Sequence, residues 1–286
     1  PQGVDMLRGV RAHTGVQCLW KHAFGGSEET FYDHSKTVDR IRDFWSHSWR
    51  SRAACKTLTL LLYYNSLWAA LFGTVVAASV AICLPELGRG LNGLFASCAA
   101  SIAASAVLFW WHSRQIVFLD MACIQQDNEV VKRQGIMSLG YFLRMSQNML
   151  VLFDEHYFTR IWCFFEYAAR KKLMADEQPR PRNPIMVAPL SFASMTVALF
   201  LASNLFVTVS AVLHRLVPVD RELPDWTLAV DYDSLRSTLI TCVSMLCAVL
   251  PVAMPACNKL RALGQMDKQL ESFSLDSLQC SCCDFN

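Results

Sequence analysis

Charged side chains are scarce in this sequence. Asp, Glu, Lys and Arg make up 17% of its 286 residues, where roughly 25% is ordinary for a soluble domain. Hydrophobic residues reach 53%, and that combination excludes a disordered tail, which needs low hydrophobicity and high charge. Neither sign of charge dominates, since 26 basic against 24 acidic residues leave +2. A nucleic-acid binder working through bulk phosphate attraction is excluded, and no nucleic-acid partner is expected. A P-loop, a His-Glu-x-x-His pair and any Asn-x-Ser/Thr site are also missing. Residues 88–93 match Gly-x-Gly-x-x-Gly by letter, but no strand precedes them and they join two apolar segments, so the dinucleotide mechanism has no scaffold there. The 12 cysteines are diluted over too long a chain for a secreted disulfide scaffold. Several sit in apolar runs, where a reduced thiol acts as a small hydrophobe. Cys280, Cys282 and Cys283 cluster near the end, but three thiols without a nearby His do not complete a structural zinc set, and no metal is expected. The chain opens on Pro1 and reads as a piece of a longer protein.

Uncharged apolar length is what the sequence has in abundance. Four runs lack Asp, Glu, Lys and Arg: Leu58 to Leu84, Leu91 to Trp111, Ile185 to Leu213 and Ser237 to Ala256. A hydrocarbon core of about 30 Å needs roughly 20 helical residues, so four transmembrane helices are expected. Pro189, Asn204, Pro251 and Pro255 interrupt the third and fourth runs. Basic residues set the orientation. Arg50, Arg52 and Lys56 precede the first run, Arg170, Lys171, Lys172, Arg180 and Arg182 precede the third, and Lys259 and Arg261 follow the fourth. The loop 214–236 instead carries three basic and five acidic residues. Both termini and the 112–184 block are therefore expected in the cytoplasm of a multi-pass membrane protein. Ala69, Gly73, Ala77 and Ala81 in the first run, and Gly93, Ser97, Ser101 and Ser105 in the second, form small-residue ridges that let helices approach closely in lipid. Membrane lipid is the expected partner, with self-association through these helices or the soluble part.

This divides the chain into an N-terminal segment 1–56, a membrane hairpin 57–111, a soluble segment 112–184, a second membrane pair 185–256 with its outer loop 214–236, and a tail 257–286. Leu260, Leu263, Met266, Leu270 and Phe273 give the tail an amphipathic helical spacing. In the soluble parts, strands are expected over Arg42 to Ser46, Gln115 to Leu119 and Asn148 to Phe153, with helices over Val131 to Met145 and Thr159 to Leu173. Continuous apolar strands alternating with helices indicate a small parallel sheet of the α/β class, with three strands legible.

Three segments carry a resemblance. Ser46-His47-Ser48-Trp49, Leu119-Asp120-Met121-Ala122-Cys123-Ile124-Gln125-Gln126 and Tyr157-Phe158-Thr159-Arg160-Ile161-Trp162-Cys163-Phe164-Phe165-Glu166 look like successive strand ends of a TIR-like domain. The set resembles a TIR-like multi-pass membrane group abundant in dinoflagellate algae. It covers about residues 40–56 and 114–173. The departure from an ordinary TIR domain is the membrane hairpin, which stands where the first crossover helix belongs. The resemblance implies a cytoplasmic module for signalling or assembly, with cleavage of NAD as an alternative activity. A channel or transporter is a further alternative, which rests on the apolar runs and not on the resemblance. The resemblance implies no required cofactor, NAD entering only as a substrate.

Glu166 is the candidate catalytic residue. In TIR enzymes that cleave NAD, the Glu of the Trp-Cys-x-x-Glu motif contacts the nicotinamide ribose. A carboxylate there would stabilise the positive charge that develops as the nicotinamide bond breaks. The bland alternative is a Glu that caps or salt-bridges within a packed helix, for example to Arg170 at i+4. Ser46, His47, Asp120 and Trp162 are the ligand-pocket candidates. The first three end strands of an α/β sheet, where ligands bind, and Trp162 shares a helix face with Glu166. The competing reading for Ser46, His47 and Asp120 is turn capping. A channel would need a polar path among Ser97, Ser101, Ser105, Asn204 and Thr241, because the four runs hold no ionisable acid or base of the kind that ion-coupled carriers use.

Overall fold

The computed structural model describes residues 7–23, 31–83, 91–176 and 185–216. Among them are six strands and eight α-helices of a mixed α/β fold. The strands are β1 (Arg8–Arg11), β2 (Lys36–Thr37), β3 (Ile41–His47), β4 (Ile116–Phe118), β5 (Ser146–Phe153) and β6 (Ile185–Pro189). The helices are α1 (Ala12–Ala23), α2 (Ala53–Cys83), α3 (Leu91–Trp110), α4 (Asp120–Cys123), α5 (Glu129–Met137), α6 (Leu139–Met145), α7 (Ile161–Asp176) and α8 (Ser191–Leu216). The chain divides into two compact units. One gathers the described residues up to Tyr64 with His112–Ala193, and the other holds Asn65–Trp111 and α8 from Ser194 onward.

The first unit is one six-stranded sheet in the order β2-β1-β4-β3-β5-β6. β4, β3, β5 and β6 run parallel, while β1 pairs antiparallel with both β2 and β4. The three expected strands are present, and three more join them. β3 pairs with both β4 and β5, with Phe44 opposite Phe118 on one side and Met149 on the other. The segments before and after the hairpin therefore share one sheet. From β3 the chain goes to β4 on one flank, then crosses to β5 on the other, so the order reverses at β3. In open α/β sheets the crevice at such a switch point, outside the strand carboxyl ends, is where ligands bind.

β5 is apolar on both faces, and Met149 to Phe153 are all buried, as a central parallel strand requires. Asp43 interrupts that pattern in β3 yet is itself 1% exposed. Its carboxylate accepts hydrogen bonds from the Tyr64 hydroxyl at 2.7 Å and the Asn148 side-chain amide at 2.8 Å. The Trp45 indole N–H donates to the same Tyr64 hydroxyl at 2.8 Å. The first three turns of α2 are thus pinned to β3, and Leu60 sits in the sheet's core cluster.

Two expectations about elements change. The helix expected over 131–145 is broken at Ser138 into α5 and α6. Gly135 lies so close to Ile124 that an added Cβ would stand 2.7 Å from its Cγ2, so only glycine permits this approach. The run beginning at Ile185 was expected as membrane helix from its first residue. Its first five residues instead form β6, hydrogen-bonded along β5 from Met149 to Phe153. An apolar run does not distinguish a buried parallel strand from a helix, and Pro189 closes the strand before α8 begins.

The second unit is built from apolar helices, without charged residues in α3 and in α2 beyond Tyr64, and with Arg215 near the end of α8. α2 is one helix of 31 residues, and its stretch Ala53–Val80 is long and apolar enough to cross a membrane. The part beyond Tyr64 is about 28 Å long at 1.5 Å per residue and carries exposed Leu67, Leu71, Phe72 and Val75. Of the four expected spans, this is the one that meets the length criterion among the described residues. The apolar stretches of α3 and α8, Phe95–Trp110 and Ser191–Phe206, are shorter. The fourth run, nearly all of loop 214–236, Thr241 and the tail with its cysteines lie outside the described residues.

Within this unit, a Cβ on Gly73 would stand 3.2 Å from the Ala100 carbonyl oxygen and 3.2 Å from the Ala104 Cβ. α2 and α3 therefore meet at Gly73 through Ala100 and Ala104, not through Ser101 as the matched ridges suggested. The Ser101 hydroxyl donates to the Asn204 side-chain oxygen at 2.8 Å and ties α3 to α8. Asn65 donates to the carbonyls of Leu108 and Trp111 at 2.8 and 3.2 Å, filling acceptors that the end of α3 leaves open.

Candidate functional site

The carboxyl ends of β3, β4 and β5 and the start of α7 converge on Ser46. This residue is the penultimate position of β3 and is 1% exposed. Its hydroxyl is 2.5 Å from the Tyr157 hydroxyl and donates to the Glu166 carboxylate in a very short hydrogen bond. Tyr157 is fully buried in the 3₁₀ turn that joins β5 to α7. A buried phenol needs an acceptor. With Ser46 donating to Glu166, the Tyr157 hydroxyl donates to Ser46, giving a chain Tyr157 to Ser46 to Glu166.

Arg170 is not the partner of Glu166. Arg170 is 1% exposed, and its guanidinium donates to the carbonyls of Leu143 at 2.5 Å and of Ser146 and Gln147 at 3.1 Å each. It staples the end of α6 to the start of β5. The Glu166 residue keeps partial exposure while its carboxyl is drawn in against Ser46. Burial pushes that carboxyl up to about 8, the Ser46 hydrogen bond pulls it down, and the nearby Asp120 carboxyl adds to the rise. Glu166 is therefore mostly protonated at neutral pH, and a positive charge beside it would ionise it.

Asp120 follows β4 as the first residue of α4, and its carboxylate accepts from the next amide, that of Met121, at 2.8 Å. It also accepts from the Trp49 indole at 3.2 Å. The Met121 bond is local, whereas the indole bond ties this carboxyl to Trp49, just beyond the β3 end. Burial raises it to about 6, against the Met121 amide, the Lys56 ammonium and the Trp49 indole.

His47 is 6% exposed, with its ring 5.2 Å from the Trp49 ring. Burial, with Lys56 adding, drives its pKa down to about 3, so the imidazole is neutral. Its Nε2 has no hydrogen-bond partner among the described residues. Its carbonyl accepts from the Cys163 thiol at 3.4 Å, and burial holds that thiol well above its ordinary value, so Cys163 is a packing residue. Trp162 is 39% exposed on α7, edge-on to Phe165 at 6.3 Å.

Of the five expected residues, Ser46 and Glu166 are joined directly. Asp120 reaches the group through Trp49 and its field, His47 lies buried beside Trp49, and Trp162 stands at the surface of α7. The site also holds residues that were not singled out. Tyr157 completes the hydrogen-bond chain. Lys56, counted above only as a flanking charge, is 3% exposed and donates to the Ser48 carbonyl at 3.1 Å. Asp154 directly follows β5 and accepts a very short hydrogen bond from Ser51. The available signals were position only: Asp154 is the acid directly after an apolar strand, and Lys56 is the last charge before the first apolar run. Among the described residues no cluster of His, Cys, Asp and Glu is arranged to hold a metal ion.

No family model matches this chain, and no curated protein or solved structure matches it either.

Proposed function

We propose that this chain is a membrane-anchored, TIR-like protein of the signalling class, whose α/β unit cleaves the nicotinamide–ribose bond of NAD at the Ser46–Glu166 site. The observation that carries the reading is that Glu166 is held by Ser46 at the end of β3, across the sheet's switch point, and not by Arg170. Titratable groups with perturbed pKa values gathered at strand ends are costly to bury and concentrate at functional sites. Bound NAD presents a cationic nicotinamide ring. A cation near Glu166 favours its ionised form, and the carboxylate then stabilises the positive charge that grows on the ribose as nicotinamide departs. Water attacks the ribose carbon, giving nicotinamide, ADP-ribose and a proton. Ser46 and Tyr157 orient the carboxylate, and neutral His47 adds no competing charge.

The membrane arrangement belongs to the same proposal. α2 is one span, α3 and α8 are further spans, and the run 237–256 is the fourth, with both termini and the α/β unit on the cytoplasmic side. The uncharged, outward-facing apolar surfaces of α2, α3 and α8 support it. A cysteine placed in loop 214–236 should then be labelled only from the non-cytoplasmic side. The test of the activity is incubation of the full-length chain in detergent with NAD, with nicotinamide release measured against Glu166→Gln.

A second reading is assembly without catalysis. Exposed Ile161, Trp162 and Phe165 on α7 favour it, at 39%, 39% and 47%, because such a patch suits a protein contact. A protein that assembles but releases no nicotinamide would decide for it.

A further inference from the structure

At one end of the second unit, aromatic rings join α2 to α3. The Trp68 and Trp111 rings stack at 5.3 Å and 23°, and the Phe72 ring lies 6.4 Å from Trp111. Asn65 holds the same end through its bonds to the Leu108 and Trp111 carbonyls. The Trp111 amide continues the helical ladder of α3, donating to the Val107 carbonyl at 2.9 Å. Further along α2, Gly73 meets Ala100 and Ala104. The two helices are thus antiparallel, and Trp68 and Trp111 stand at one level. Trp68 is 42% exposed and Trp111 40%, and Phe72, Phe109 and Trp110 beside them are more exposed still.

From this end onward α2 has no charged side. Every position from Ser66 to Val75 is exposed except Ala69 and Gly73. A partner helix covers one stripe, as α3 does at Gly73, whereas this exposure runs around the rest of the circumference, as a lipid contact does. The exposed hydroxyls of Thr74 and Ser79 turn back on the helix, donating to the Ala70 and Val75 carbonyls at 2.9 Å each, which is how polar groups are satisfied where no water reaches them. An indole couples a large apolar ring to an N–H donor and rests where hydrocarbon meets headgroups. In sequence, the first charge after Trp68 is Glu86, eighteen residues on, and the last before Trp111 is Arg89, twenty-two residues back. These counts bracket the roughly 20 residues that a helix needs to cross the hydrocarbon. We infer that the Trp68–Trp111 band is a lipid-contact surface that sits at the headgroup–acyl boundary and sets the level at which the α2–α3 hairpin enters the bilayer. This rests on the proposed membrane arrangement and narrows it. Charge alone puts the entry near Leu58, ten residues earlier, yet Leu58 to Tyr64 belongs to the α/β unit.

The test reads tryptophan fluorescence of the full chain in phosphatidylcholine vesicles whose acyl chains are brominated either near the glycerol end or near the methyl end. The chain has 8 tryptophans, so the stacked pair is read as the difference between the parent and the double variant Trp68→Phe/Trp111→Phe. Two further variants each add one ring to the parent at an exposed position: Leu67→Trp, beside the band, and Val75→Trp. Val75 lies about 10 Å beyond Trp68 at 1.5 Å per residue, toward the midplane of a core about 30 Å thick. The stacked pair and the Leu67→Trp ring are expected to lose more fluorescence to the shallow bromines than to the deep ones, and the Val75→Trp ring the reverse. The two added rings carry the test if the double variant does not fold. Deep bromines that quench the pair and the Leu67→Trp ring as strongly as the Val75→Trp ring would overturn the boundary and leave the span standing. Quenching of none of the three by either lipid would overturn the band together with the membrane reading of α2. Protection of all three that disappears when the protein is diluted in lipid would give this face to a second copy of the chain and overturn the band as a lipid contact.

Discussion

Replacing Ser46 by Ala removes one hydroxyl and leaves two partners stranded. The Tyr157 hydroxyl, on a residue 0% exposed, loses its acceptor, and the Glu166 carboxyl loses its donor. An unsatisfied buried polar group costs about 1–3 kcal/mol. Tyr157 falls in the upper part of that range and the partly exposed Glu166 in the lower, so the sum is about 2–4 kcal/mol. For a chain of this size the melting midpoint should drop by roughly 5–12 °C. Tyr157→Phe alone removes the phenol that needs a partner and should cost less. In the double variant the two losses overlap, so the combined cost should fall short of the sum by about 0.5–3 kcal/mol. Thermal unfolding of the detergent-solubilised chain, followed by intrinsic fluorescence, measures all four corners of the cycle. A Ser46→Ala midpoint within a degree or two of the parent, or strict additivity with Tyr157→Phe, would refute the hydrogen-bond chain.

Other perturbations follow from the same structure. Gly73→Leu should destabilise the α2–α3 contact, because its Cβ would press on the Ala100 carbonyl and the Ala104 side chain at 3.2 Å; Leu71→Ile, at a residue 50% exposed, should be nearly silent in the same melt, and equal tolerance would show the contact to be incidental. Asn65→Ala should cost about 1–2 kcal/mol through two carbonyls left open at the end of α3, read as a lower midpoint. Stability should fall as pH rises from 6.5 to about 8: Glu166 binds its proton more tightly folded, at about 8, than at its ordinary 4.5, so folding loses that advantage on the way up. His47, lowered from 6.5 to about 3, acts in the opposite sense and only below 6.5, so it does not mask the slope. Glu166→Gln should flatten the slope between pH 6.5 and 8, and a slope that survives the substitution would assign it to another group.

Much of the sheet was legible because its central strands obey simple rules. The apolar run of β5 can only be a doubly buried strand or a buried helix, and its length and flanking turns point to a strand. β6 escaped for the same reason in reverse, since five apolar residues fused to a longer apolar helix look like more of that helix until Pro189 is given its due. β1 is four residues with an Arg at each end, and its pattern is too short to read. Asp43 breaks the apolar pattern of β3, and the partners that settle it there, Tyr64 and Asn148, lie far along the chain. The site divides in the same way. Resemblance placed Ser46 and Asp120 at strand ends and Glu166 on the helix after the third strand, but no spacing rule brings together side chains 120 residues apart. The choice between Ser46 and Arg170 as the partner of Glu166 is a tertiary fact. Local periodicity made Arg170 the obvious partner, and three backbone carbonyls at the end of α6 and the start of β5 took it instead. Lys56 looked like a membrane-flanking charge because α2 was expected to enter lipid at once, whereas its first three turns belong to the sheet.

The most direct measurement is nicotinamide release from NAD by the full-length chain in nanodiscs, with Glu166→Gln and Ser46→Ala beside it. The account predicts turnover in the parent, a loss of about 100-fold or more in Glu166→Gln with a melting midpoint close to the parent's, and a smaller loss in Ser46→Ala, where Glu166 remains but is no longer oriented. Absence of release from a folded parent, or release that Glu166→Gln leaves unchanged, would contradict it.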